Sequence, residues 1–513
     1  MITHARSLWE LVERRAEETP DSLLAVDEDG RTMTFGEYQE AAERGAAGFA
    51  ELGVAEGTAV SWQLPTWIES LVLVGALSRL GAVQNPMLPI YRHREVGFIT
   101  KQTGARWLIV PSTWKGFDYE GMAREIAGDQ PGLDVLVVDR KLPDGNPATL
   151  PPPSEPAVAA ADAPVRWVFY TSGTTADPKG AKHTDRTIMA SAFGMTKALG
   201  TQPDDVSALV FPFTHIGGIG WLFSSMMVGF KTIVIEAFDP KTTIPVLQRE
   251  GVTLAGAGTP FHMAYLAAQR EQPGKPLFPN VRAFPGGGAA KPVQLHYDVK
   301  SELGGVGVVS GYGLTECPIL AMSTIDDPDV KLAETEGRTT PGVEVKVVKL
   351  DGSPAAPGEE GEIRVTGPML FRGYLDSSLD ADAFDDEGFF RTGDLGTQDA
   401  DGYIAITGRL KDVIIRKGET ISAKEVEDLL FTNPAIADVA VIGVPDEQSG
   451  ERACAVVVPA DPEAPPTLED VFNFCAEAGL MTQKVPEQLE IVDALPRNAT
   501  GKVLKHELRE QYA

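Results

Sequence analysis

Cysteine is nearly absent from this chain: Cys317, Cys454 and Cys475 are the only three in 513 residues, an odd count without metal-type spacing. That argues against a disulfide framework or a cysteine-ligated metal, and fits a reducing compartment. Basic residues are the minority, 45 against 73 acidic, for a formal charge of −28. Nucleic acid and anionic membrane repel so acidic a chain at long range, so neither is expected as a general partner. No apolar h-region stands in the first 20 residues, where Arg6, Glu10, Glu13, Arg14 and Arg15 interrupt the pattern. No signal peptide is therefore read, and a cytoplasmic location is expected. The window 206–230 has no charged residue, but it holds Pro212, His215 and glycines at 217, 218, 220 and 229. It reads as a buried strand, a loop and a buried helix rather than a membrane span. Tandem repeats are absent.

What is present is enough apolar residue, 43%, to build more than one core. Short apolar, β-rich segments at 59–64, 82–84, 107–110 and 135–138 alternate with helical stretches at 35–52 and 68–80. This alternation predicts βαβ units and parallel sheets. Residues 141–164 shift to Pro, Ala and Gly and read as a surface connector. Turn signals recur from 338 to 408, the texture of a small antiparallel, barrel-like unit; beyond Lys411 the pattern is mixed α and β. The expected fold is a multidomain α/β protein. Its N-terminal domain, 1–410, divides into α/β subdomains at about 1–165 and 166–330 and a barrel-like subdomain at about 331–408. A small α+β domain, 411–513, follows.

The densest chemistry lies in Tyr170-Thr171-Ser172-Gly173-Thr174-Thr175-Ala176-Asp177-Pro178-Lys179-Gly180, directly after an apolar strand. Glycines let main chain approach phosphate oxygens closely, while the hydroxyls and Lys179 add donors and a point charge. This is not a Walker A motif, since Ala181 follows Gly180. The loop strongly resembles the phosphate-binding signature of the adenylate-forming enzymes, a family of acyl-CoA synthetases, adenylation domains and luciferases. The resemblance continues in order through Gly311-Tyr312-Gly313-Leu314-Thr315-Glu316, Phe390-Arg391-Thr392-Gly393-Asp394, Gly408-Arg409-Leu410-Lys411-Asp412 and Pro496-Arg497-Asn498-Ala499-Thr500-Gly501-Lys502.

The resemblance implies ATP, Mg²⁺ and coenzyme A as reactants and a small carboxylic acid as the partner. It assigns the β- and γ-phosphates to Thr171, Ser172, Gly173, Thr174, Thr175 and Lys179, and the metal to Glu316 and Thr174. Thr315 is expected at the α-phosphate and Tyr312 on adenine. Gly287, Gly288 and Gly313 are placed between adenine and acyl group, Asp394 on the ribose with Arg409 assisting, and Lys502 on the α-phosphate as the mobile catalytic lysine. His215 is expected to border the acyl carboxylate, in a pocket formed with Gly217, Gly218, Gly258, Gly287 and Gly313. Lys411 is implied as the hinge of the C-terminal domain and Gly418 as the wall of the CoA tunnel.

Between Phe211 and Met227 no acidic side chain stands ready for an amino-acid ammonium. A fatty, alicyclic or aromatic acid is therefore expected. A carboxylic acid–CoA ligase of fatty acid metabolism is the leading reading. A free-standing enzyme that loads a carrier protein, a luciferase-like oxidoreductase and a non-catalytic binding protein are the alternatives. The expected assembly is a monomer or homodimer. Asp185 departs from the family pattern and places a negative charge just beyond the phosphate loop.

Overall fold

The computed structural model describes every residue except 172–177, 289–290, 417–418, 447–448, 499–500 and 513, and only the main chain of 419 and 420. The chain is α/β, as its alternating pattern predicts. One six-stranded sheet runs Lys179–His183, Trp167–Thr171, Val83–Pro86, Ala59–Trp62, Trp107–Val110, Asp134–Val137. Its strands are parallel except for the hairpin of Trp167–Thr171 with Lys179–His183. Trp107–Val110 and Trp167–Thr171 are buried over most of their length, which explains why they read as apolar runs. The helix Phe35–Glu51 starts on a capping box of Thr34 and Glu37 and packs its buried face on the helix Ile68–Arg79.

A second sheet runs Val206–Leu209, Lys231–Val234, Leu23–Asp27, Thr32–Thr34. The sheets therefore do not divide at residue 165. The chain's first two strands lie in the second sheet, and Trp167–Thr171 and Lys179–His183 complete the first. The uncharged window 206–230 forms the strand Val206–Leu209 and the buried helix Ile216–Val228, as predicted. No helix among the described residues is long and apolar enough to cross a membrane. Through Leu254, bridged to Ser207 and Ala283, the second sheet leads to the strand Phe284–Gly287. That strand pairs in parallel with Val308–Leu314, which turns back as Cys317–Met322. Gly286 and Gly287 lie within the strand Phe284–Gly287.

A four-stranded antiparallel meander follows, Glu344–Val348, Gly361–Thr366, Phe390–Gln398, Ile404–Arg409. The chain then crosses through the short turn Leu410–Asp412 into a separate sheet built on Val413–Arg416, Ile436–Asp446 and Gly450–Pro459. The helices Ala423–Leu430, Leu468–Glu477 and Lys505–Tyr512 belong to this C-terminal part. The segment 141–164 is largely exposed, as read, yet it is tied down. Arg79 donates to the Pro151 carbonyl at 2.6 Å, Arg186 to Ala157 and Val158 at 2.8 and 2.9 Å, and Arg372 to Ala160 at 2.6 Å.

Candidate active site

Close main-chain packing shapes the floor of the site. A Cβ on Gly287 would lie 2.7 Å from the Gly311 carbonyl oxygen, and one on Gly313 only 1.8 Å from that of Pro318. Gly258 faces the Gly287 oxygen at 3.0 Å in the same way. Glycine is needed at 287 and 313 because backbone occupies the place of a side chain. Gly288, Gly311 and Gly313 line a cavity of about 260 Å³ between the N- and C-terminal parts.

Three polar side chains converge on one wall. Antiparallel pairing sets Asp394 opposite Arg409, whose Nε lies 2.8 Å from Asp394 Oδ1. The Tyr312 hydroxyl donates to Asp394 Oδ2 at 2.8 Å. Asp394 is 3% exposed and Tyr312 9%. Burial, then the neighbouring Asp394 carboxylate, push the Tyr312 phenol up, so it remains a donor. Lys502 enters the same cavity from the C-terminal part. Among the described residues no carboxylate stands within ion-pair distance of its ammonium. Burial, then the nearby Arg409 cation, bring its pKa down to about 8. The preceding Gly501 holds a φ of +84°, and a Cβ there would meet Pro260 Cγ of the N-terminal part at 2.7 Å.

Thr315 and Glu316 form the turn between Val308–Leu314 and Cys317–Met322. Glu316 is 7% exposed and accepts from the Tyr374 hydroxyl at 2.6 Å. Burial raises its pKa, against the pull of Tyr374 and of the Lys179 and Arg409 cations. His183, which the sequence reading passed over, fixes this turn: its Nε2 lies 2.8 Å from the Thr315 carbonyl and its Nδ1 2.9 Å from Thr187 Oγ1. Burial takes the His183 pKa to about 4, so the ring is neutral and donates to Thr315 through Nε2–H. Cys317 is fully buried, and burial pushes its thiol up. Among the described residues it has no partner that would activate it, and it serves packing.

His215 caps the helix Ile216–Val228, its Nδ1 accepting from the Gly217 N–H at 3.1 Å. That bond leaves Nε2 to carry the proton, and burial lowers the pKa to about 4. Gly217 faces the His215 and Phe211 rings, where added bulk would meet side chains. Gly218 does not: a Cβ there would lie 2.6 Å from the Phe213 carbonyl oxygen, so it is a packing glycine rather than a pocket wall. Asp185 is also corrected. Its carboxylate turns into the core and accepts from Trp167 Nε1 at 2.7 Å and the Leu8 N–H at 2.9 Å.

Of the remaining expected site residues, Thr171 ends the strand entering the phosphate loop and Lys179 begins the strand leaving it. Lys411 lies in the turn where the chain crosses and lines the cavity. Ser172, Gly173, Thr174, Thr175 and Gly418 fall outside the described residues. Among the described residues no cluster of three His, Cys, Asp or Glu could hold a metal. A magnesium ion here would take Glu316 as its carboxylate and complete its shell from phosphates and water. That donor set fits an ion that dehydrates reluctantly.

Residues 12–375 match the model of the AMP-binding enzyme family, and residues 425–502 that of the AMP-binding enzyme C-terminal domain. The chain is 32% identical to the medium-chain fatty-acid–CoA ligase of Escherichia coli K12, over 98% of this chain and 90% of that one. It is 31% identical to the salicyl-AMP ligase / salicyl-S-ArCP synthetase of Mycobacterium tuberculosis H37Rv, over 99% and 91%. Its fold matches the O-succinylbenzoate coenzyme A synthetase of Bacillus subtilis in complex with ATP and magnesium ion, with a TM-score of 0.82, 27% identity and 98% of each chain covered. The chain belongs to the AMP-binding enzyme family, in its adenylate-forming acyl-CoA synthetase branch.

Proposed function

We propose that this chain is a carboxylic acid–CoA ligase working in two steps on an acid with an apolar body. The acid's carboxylate attacks the α-phosphorus of ATP, the bond to the leaving pyrophosphate breaks, and an acyl-adenylate forms. The thiolate of CoA then attacks the acyl carbon and AMP leaves, giving the thioester. The observation that carries this reading is Lys502 in one cavity with Tyr312, Asp394 and Arg409. Asp394 and Arg409 take the ribose, and Tyr312 packs on adenine. The Lys502 ammonium neutralises charge that grows on the α-phosphate and leaving oxygen. Magnesium, held by Glu316 and Thr174, supplies further charge neutralisation on the phosphates. The Nε2–H of His215 donates to the acid's carboxylate and orients it. Lys411 is the hinge about which the C-terminal part swings to admit the thiol past Gly418.

The apolar acid follows from a site helix without a charged residue and from the medium-chain fatty-acid ligase among the relatives. The test is incubation with a panel of fatty, alicyclic, aromatic and amino acids, ATP and Mg²⁺, with CoA or with a phosphopantetheinylated carrier protein, and products identified by mass. Acyl-CoA from an apolar acid is the expected result. Acyl transfer to the carrier alone would replace CoA as the acceptor, and preference for amino acids would overturn the apolar pocket.

A further inference from the structure

Tyr374 has no part in the steps above, yet it touches the charged groups at both ends of the phosphate site. It is 3% exposed, and its hydroxyl donates to Glu316 Oε1 at 2.6 Å. The Lys179 ammonium lies 5.3 Å from the centre of its ring. The residue is held through its main chain on two sides and through its ring on a third. Tyr374 bridges Ala181 on the strand that carries Lys179, its N–H donates to Asp380 Oδ1 at 2.8 Å, and Phe371 packs edge-on at 4.8 Å. A side chain so restrained fixes whatever it contacts.

The two contacts differ in kind, and the difference matters for a site that must take a polyanion with its cation. A carboxylate partner for Lys179 would cancel the charge that phosphate needs. An aromatic face holds the ammonium in place and leaves its charge intact. For Glu316, the one side-chain hydrogen bond among the described residues is made through Oε1 and restrains the carboxylate's rotamer. Oε2 is then left for a cation, a one-oxygen mode suited to magnesium.

We propose that Tyr374 is a positioning residue that presets Glu316 for one-oxygen cation binding and seats Lys179 against the same polyphosphate. The proposal rests on Glu316 being the cation's ligand. The probe is Mn²⁺, followed by electron paramagnetic resonance in the full-length protein with ATP. Metal-free ATP affinity is measured separately by calorimetry.

Tyr374→Phe removes the hydroxyl and keeps the ring. It should weaken Mn²⁺ binding about tenfold, the scale of one hydrogen bond to a charged group, and leave metal-free ATP affinity within about twofold. Tyr374→Leu removes both contacts and should weaken metal-free ATP binding as well. Glu316→Gln is the control, and should lose Mn²⁺ binding more severely than either. If Tyr374→Phe binds Mn²⁺ like the unaltered protein while Glu316→Gln does not, the positioning role falls and the metal assignment stands. If Glu316→Gln also binds normally, both fall. Tyr374→Phe conserves the ring and its packing, so the test does not depend on the bulkier loss folding.

Discussion

The two sides of the interdomain cavity hold their charges in different ways. On the N-terminal side Asp394 is matched before any nucleotide arrives: Arg409 pairs with one oxygen at 2.8 Å and Tyr312 donates to the other at 2.8 Å. On the C-terminal side the Lys502 ammonium is partly withdrawn from water, has no carboxylate at ion-pair distance among the described residues, and has a pKa brought down to about 8. The first is a fully partnered carboxylate whose two partners belong to the same N-terminal part. The second is a partly desolvated cation that an anion in the cavity would stabilise. On the proposed mechanism recognition and reaction should be separable: the N-terminal side should bind nucleotide with or without Lys502, and Lys502 should act only when the two parts meet.

The sharpest way to break that comparison is to remove the cation. Lys502→Ala should slow first-turnover pyrophosphate release by roughly 10²- to 10³-fold, the scale of losing one preset charge-stabilising group. Thioester formation from synthetic acyl-adenylate should be nearly unaffected. Lys411→Pro should do the reverse, because proline fixes φ and obstructs rotation at the crossing turn. Equal damage to both steps by both variants would mean that the two sides act as one unit.

Removing the partnered carboxylate is the next test. Asp394→Ala leaves Arg409 and the Tyr312 hydroxyl without their acceptor. Equilibrium dialysis should show ATP affinity falling by roughly ten- to a hundredfold, and denaturant melts should show about 1–3 kcal/mol of lost stability. A smaller effect is expected at Gly501, where φ is +84° and Pro260 Cγ sits 2.7 Å from a Cβ. Gly501→Ala should slow pyrophosphate release roughly tenfold, equivalent to about 1.4 kcal/mol of strain, and spare the thioester step.

The mildest test is pH. The Lys502 ammonium is charged below about 8 and neutral above, so kcat/KM for ATP in pyrophosphate release should be highest below that value and decline as pH rises through it. Lys502→Arg, charged throughout, should lose that descending limb whatever its absolute rate. A limb that persists in the arginine variant would assign the titration elsewhere.

Much of this was legible because the informative residues are consecutive. The loop after Phe169, the turn at Glu316 and the segment around Lys502 carry their chemistry in short runs, and strands buried over most of their length announce themselves as apolar blocks. What escaped depends on distant partners. His183 looks like any histidine at a strand end until Thr315 is seen against it at 2.8 Å. Asp185 reads as a charge near phosphate, but Trp167 and the Leu8 amide draw it inward. Gly217 and Gly218 are neighbours in sequence, yet helix geometry points one toward rings and the other into main chain. Gly286 and Gly287 lie inside a strand although strands rarely hold glycine. Here a neighbouring backbone at 2.7 Å leaves no room for anything else.

The exchange of strands between the two large sheets bears on how the chain is made. Leu23–Asp27 pairs on one side with Thr32–Thr34 and on the other with Lys231–Val234. The near partner emerges from the ribosome almost at once. The far partner follows after roughly ten to forty seconds of translation at about 5–20 residues per second. During that interval Leu24, Ala25 and Val26, all buried in the finished protein, lie on an edge with open hydrogen-bonding groups. A pause between codons 30 and 230 would lengthen their exposure, so the yield of intact protein should respond to elongation speed in that stretch more than in the self-contained C-terminal sheet.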